Sequence, residues 1–214
     1  MSACIESVEN LLIRQEWKNA DLETEKLIFS FCNYKGQEWL KPEDIDLIPL
    51  NIIAHLENLW TIHSKGHFGF RTQEKIHSSI RAQIRANPRD SLQRLISSVL
   101  RGSNDSMNGR EVLMVPYFYS VEIGWIEGHP MDSFGAYGRD KTYEELKFDL
   151  AAPVGHLPCR TWWTLNHQTK QIPFDVLFKK YGILGLSGCL IKYQCSVELH
   201  LFKRIQIACQ RFNN

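Results

Sequence analysis

"LENLWTIHSKGHFGFRTQEK" (residues 56–75) joins two helical patterns through a turn carrying two glycines and two phenylalanines. Before the turn, Ile52, Ile53, Leu56, Leu59, Trp60 and His63 recur at three- and four-residue spacing and line one helix face. Pro49 is placed to open that helix, because its missing N–H is not needed in a first turn. Gly66 is placed to end it, in the left-handed conformation that glycine tolerates. After the turn a second helix is expected to open at Thr72 or near it, carry Ile76, Ile80 and Ile84, and break at Pro88. His63 and His67 are four apart, the spacing that binds zinc on a continuous helix. Gly66 interrupts the helix between them, and no nearby carboxylate or cysteine completes a ligand set. The reading is a packed His63, an exposed His67 and no metal.

Toward the N-terminus, Ile5, Val8, Leu11, Leu12 and Trp17 form the apolar face of a first helix. Asp21 is a plausible N-cap for a second helix running from Leu22 to Cys32, so the two make an αα-hairpin. Residues 33–49 are irregular, punctuated by Gly36, Pro42 and Pro49. Beyond Pro88, residues 89–101 carry a stripe of Leu92, Leu95, Ile96, Val99 and Leu100, expected to dock on the isoleucine helix rather than meet a partner. Residues 111–158 are rich in aromatic residues, glycine and proline, with little helical period. A loop of that length in a compact domain is usually functional or disordered, and its aromatic content argues against disorder. "VELHLFKRIQIAC" (197–209) fits a helix or a strand. The expected architecture is mostly α-helical with two long structured loops.

Composition narrows the function. A formal net charge of +1 lacks the basic excess of a general nucleic-acid binder. The first ten residues show no secretory signal, and the longest weakly polar run, residues 181–191, is too short to span a bilayer. Six cysteines without a CxxC pair suit buried thiols in a reducing compartment, so the expectation is a soluble intracellular protein. The chain has no GxSxG elbow, no Walker loop and no GxGxxG after a strand. Asp44 with Asp46, or Glu144 with Glu145, could be paired acids but read more simply as helix-start or solvated charges. No catalytic residue is assigned. What remains is an apolar, aromatic, concave surface. Trp39, Leu40, Ile45, Leu47 and Ile48 come from one loop; Tyr117, Phe118, Trp125, Phe134, Tyr137, Tyr143 and Phe148 come from the other. Arg139, Lys141 and Lys147 lie among the second set. A flat apolar ligand with carboxylates at its edge suits such a surface. The alternative is that these aromatics tie long loops to the helices as a local core.

Five pieces occur in order: "LLIRQEWKNADLET" (11–24), "WLKPEDIDLIP" (39–49), "LENLWTIHSKGHFGFRTQ" (56–73), "IGW" (123–125) and "FDLAAPVGHLP" (148–158). This series resembles the Genomes Uncoupled Four family, the porphyrin-binding accessory proteins of magnesium chelatase in chlorophyll synthesis. The resemblance implies an all-α fold: a single helical domain of cupped-hand shape, with two long structured loops forming a palm. It places a porphyrin-binding domain at residues 1–160, an insertion near 85–115, and a C-terminal extension, 161–214, packed on the same domain. The implied ligand is protoporphyrin IX or Mg-protoporphyrin IX, held non-covalently. The implied partner is the H subunit of magnesium chelatase. Trp39, Leu40, Ile48, Trp125, Tyr143, Leu146 and Phe148 are the expected palm residues, with Arg160 meeting a propionate. Phe68 and Phe70 are expected to pack inward as wedges, and Gln73 and His156 to satisfy backbone groups. The chain departs from the family pattern at Thr142 and Leu146, which stand near an expected Trp and Phe. Arg160 is the only cation just after "GHLP". The implied setting is a cyanobacterial cytoplasm or a plastid stroma. A protein-interaction module with a degraded palm is the other reading.

Overall fold

The computed structural model describes residues 4–32, 42–86, 115, 118–127, 139–159 and 185–212, with side chains at 42, 139–140 and 185–198 left aside. The protein is mostly helical. Helices α1 (Ile5–Ile13), α2 (Trp17–Phe31), α3 (Pro42–Ile45), α4 (Leu50–His63) and α5 (Phe70–Ala86) run in order, and α6 (Gly185–Phe212) closes the chain. Between α5 and α6 the described residues include a helical turn at 118–122 and a two-residue antiparallel ribbon, β1 (Ile126–Glu127) with β2 (Arg139–Asp140). A 3₁₀ turn follows at Tyr143–Glu145. The amphipathic stretch at 89–101, with its expected docking on the isoleucine helix, lies outside the described residues.

The hairpin forms as expected, but its second helix starts four residues before Asp21. Helix α1 ends in a turn where Gln15, at φ 57°, sits in left-handed geometry. The Glu16 N–H reaches Leu11 O at 2.9 Å and the Gln15 N–H reaches Leu12 O at 3.0 Å, the two bonds of a Schellman ending. Helix α2 can therefore begin at Trp17, which makes Asp21 an interior residue and not its N-cap. The same ending recurs after α4. The Gly66 N–H bonds Thr61 O at 2.8 Å and the Lys65 N–H bonds Ile62 O at 3.2 Å. Lys65 (φ 55°) takes the first left-handed position and Gly66 (φ 80°) the next, so glycine shares the reversal rather than carrying it alone.

Helix α5 opens at Phe70, two residues before Thr72, because a side chain from the preceding helix caps it. Glu57 Oε2 accepts the Arg71 N–H at 3.0 Å and Oε1 accepts the Thr61 hydroxyl at 2.9 Å. Burial pushes the Glu57 carboxyl above its ordinary value, and the backbone donors of Arg71 and Phe70 oppose that push. Gly69, at φ 125°, passes so close that a Cβ there would stand 3.1 Å from both Glu57 carboxylate oxygens.

The core is one aromatic-centred cluster. Trp17 meets Phe68 edge-on with centroids 5.5 Å apart, and Trp60 lies 6.1 Å from Trp17 and 6.4 Å from Phe68. Trp60 is fully buried, and its Nε1–H donates to Thr24 Oγ1 at 3.1 Å, so its polar tip is satisfied inside the hairpin. The segment left open between helix and strand is helical: α6 packs on α3, α4 and α5. Leu201, Phe202, Ile205 and Ala208 are its buried stripe. Among the described residues no helix is long and apolar enough to cross a membrane.

Candidate functional site

The turn in the opening stretch is sewn to a loop more than eighty residues away. Ser64 Oγ donates to Trp60 O at 2.6 Å and accepts the Phe68 N–H at 2.9 Å, which holds the reversal itself. The Gly69 N–H then donates to Leu157 O at 3.0 Å, and the Gly155 N–H returns to His67 O at 2.9 Å. His67, half-buried rather than exposed, places Nε2 2.8 Å from Ala152 O. Gln73 is fully buried, and its Nε2 donates to Gly155 O at 3.0 Å and Pro158 O at 2.8 Å. Phe68 and Phe70 point inward with almost no exposed surface. Each polar group in this seam has a partner, as burial requires.

His156 works from the other side of the same loop. The Lys147 N–H donates to Nε2 at 3.3 Å, so the ring proton sits on Nδ1, which donates to Ile123 O at 2.6 Å. Burial lowers the His156 pKa, which favours the neutral ring that this arrangement requires. The His156 carbonyl accepts the Trp125 Nε1–H at 2.9 Å, and Lys141 Nζ donates to Gly124 O at 3.0 Å. Residues 141–159 are thus pinned to the 119–125 segment and to the α4–α5 turn.

A third tie runs to the hairpin. Asp21 is 1% exposed; its Oδ1 accepts the Cys159 N–H at 2.8 Å, while Oδ2 accepts the Tyr143 hydroxyl and the Cys159 thiol, each at 3.0 Å. Sequence reading missed this role because Asp before a helical run suits a cap. Its only local signal is that Trp17, Ala20 and Thr24 put Asp21 beside the buried stripe of α2.

The expected palm residues divide sharply. Ile48, Trp125, Tyr143 and Leu146 are no more than 5% exposed, and the polar atoms of Trp125 and Tyr143 serve internal bonds. Ile48 lies under α6, where the Arg204 guanidinium donates to its carbonyl. Phe148 is only partly buried. Trp39, Leu40 and Arg160 lie outside the described residues. The open rim of the pinned loop is formed by Phe148 with Leu150 and Val154, the latter two 46% and 49% exposed. Lys18 of α2 stands at this rim, 5.3 Å from the Phe148 ring centroid and 5.5 Å from that of Tyr143. Among the described residues no three His, Cys, Asp or Glu side chains are grouped to hold a metal ion. The rim offers an aromatic face and a cation, which suits binding a flat anionic molecule better than acid–base chemistry.

Comparison with known proteins agrees with the order of the motifs. A family model described as GUN4-like matches residues 3–172. Over 73 residues the chain is 32% identical to the uncharacterized protein ycf53 of Porphyra purpurea. That stretch covers 33% of this chain and 31% of the relative, so the match spans about a third of the curated relative's length. No solved structure matches the chain significantly. From the hairpin through the stitched turn to the pinned loop, the chain belongs to the GUN4-like family, a family of tetrapyrrole-binding regulators of chlorophyll biosynthesis.

Proposed function

We propose that this protein binds protoporphyrin IX or Mg-protoporphyrin IX without transforming it, and supplies it to magnesium chelatase through contact with the H subunit. The observation that carries the reading is the family match over residues 3–172, which includes the hairpin, the stitched turn and the whole aromatic loop. The geometry supports it. A loop held at three places leaves Leu150 and Val154 exposed and Phe148 only partly buried against the core. Preorganisation of that kind reduces the ordering cost of binding. Stimulation of the chelatase would act by supply of substrate or a shift in its conformers, not by residues of this chain touching the reaction. A cyanobacterial cytoplasm or plastid stroma is the corresponding setting.

Titration of the protein into protoporphyrin IX and into its magnesium complex tests binding directly. A red shift of the Soret band with saturation below about 50 µM, a modest small-molecule affinity, is the expected outcome. A flat spectrum and unquenched fluorescence through that range would remove the binding claim. The chelatase step is tested separately, by metal insertion at limiting porphyrin with and without this protein.

A further inference from the structure

Lys18 has an unusual setting for a surface lysine. It lies in the first turn of α2, where the positive end of the helix dipole repels its charge. Among the described residues no carboxylate lies within ion-pairing distance of it. Its ammonium instead hangs over two rings, Tyr143 and Phe148, whose centroids are 5.1 Å apart at an interplanar angle of 63°. A ring face takes up the charge but accepts no conventional hydrogen bond, so the ammonium's three donors are left to solvent or to an incoming anion. The position is also well anchored. One turn along the helix, Asp21 holds both Tyr143 and Cys159, so the distance from Lys18 to the pinned loop is set by buried bonds. The aromatic faces are themselves steady, because Tyr143 is buried and tied through its hydroxyl.

We propose that Lys18 is a carboxylate-anchoring residue of the ligand site, pairing with an acid group of a flat aromatic ligand at the rim beside Phe148. The inference rests on the tetrapyrrole-binding reading and makes it more specific: the site selects ring systems that carry free carboxylates over those whose acids are masked. Lys18 exchanges a ring contact for an ion pair when ligand arrives, at little cost, since its side chain is already held near the rim.

The test compares wild-type protein, Lys18→Met and Lys18→Arg against protoporphyrin IX and its dimethyl ester, in dilute neutral detergent, by fluorescence titration at low and high salt. Lys18 is exposed, so neither variant should disturb folding. Wild type should bind the free acid more tightly than the ester. Lys18→Met should weaken free-acid binding about three- to fivefold, the range of a solvent-facing ion pair, and leave the ester unchanged. Its salt dependence should flatten too, while Lys18→Arg keeps most of the affinity. Equal affinities of wild type and Lys18→Met for the free acid would overturn the proposal while leaving porphyrin binding intact. An equal loss for acid and ester would also overturn it, by showing that the side chain acts through packing. If wild type binds neither porphyrin, the tetrapyrrole reading itself falls, and the role of Lys18 with it.

Discussion

Gln15 and Lys65 are the two non-glycine residues with positive φ among those described, and both occupy the left-handed position of a Schellman ending. An L-residue there is strained by contact between its Cβ and its own backbone, while glycine is not. Lys65 is exposed, so little packing is lost on its removal. Lys65→Gly is expected to raise stability by about 0.5–1 kcal/mol, read as a higher denaturant midpoint with unchanged slope. Asp21 makes the opposite case. Removing its carboxylate in Asp21→Ala leaves the Tyr143 hydroxyl and the Cys159 N–H buried without these acceptors. Stranded buried donors cost about 1–3 kcal/mol each, so a loss of about 2–4 kcal/mol is expected, against roughly 1 kcal/mol for Tyr143→Phe. Chemical denaturation of the two variants side by side checks the ordering; a larger loss for Tyr143→Phe would contradict it. Both residues also show why local reading fell short. No glycine announces the turn at Gln15, so the start of α2 reads five residues late, at Leu22 instead of Trp17, and Asp21 takes the guise of a cap.

At the scale of elements, the contact of α5 with α6 contains a titratable ring. His77 is 6% exposed, and its ring lies 5.6 Å from Tyr119 and 5.1 Å from Phe202 of α6. Burial, aided by the charge of Arg81 and opposed by Glu74, lowers its pKa from 6.5 to about 4. The unfolded chain therefore takes up this proton at higher pH than the folded one. Stability should be full above about pH 6.5, decline as pH falls toward 4, and level off below; the shift corresponds to about 3 kcal/mol at most. His156, lowered for the same reason, adds to the decline. Thermal melts from pH 7.5 to 4.5 should show His77→Leu losing less stability than wild type over this window. Parallel curves would mean that the ring titrates freely. In helix α5 the fully buried residues are Phe70, Gln73 and His77, whereas Ile76, Ile80 and Ile84 are half-buried. Apolar period located the helix, but polar residues with good partners occupy its deepest positions.

For the whole molecule, one buried cluster draws on α1, α2, α4 and α6, and on the segments around Tyr119 and Leu157. A core shared this widely should unfold as a unit. Far-ultraviolet circular dichroism, dominated by the helices, and near-ultraviolet dichroism, sensitive to Trp17, Trp60 and their neighbours, should give coincident urea transitions. A separate early transition in the helical signal would mean that α6 is only loosely joined to the rest. Much of this architecture is readable in order: the hairpin, the helix after Pro49, the reversal at Gly66 and the helix that follows all rest on residues within a few positions of one another. The mostly helical class follows from them.

What the sequence determined by itself was therefore the set of helices and turns, because caps, left-handed turns and three-to-four spacing are energies of neighbouring residues. The tertiary structure alone decided which groups meet across long separations: Gln73 with Gly155 and Pro158, 82 and 85 residues on, and Asp21 with Cys159, 138 residues on. It also decided that Trp125 and Tyr143 turn their rings into the core while Phe148 stays at the rim beside Lys18. An aromatic residue gains by burial against a protein core or against a flat ligand alike. The choice between them depends on where a polar tip finds its partner, and those partners, His156 O and Asp21 Oδ2, come together only when the chain has folded.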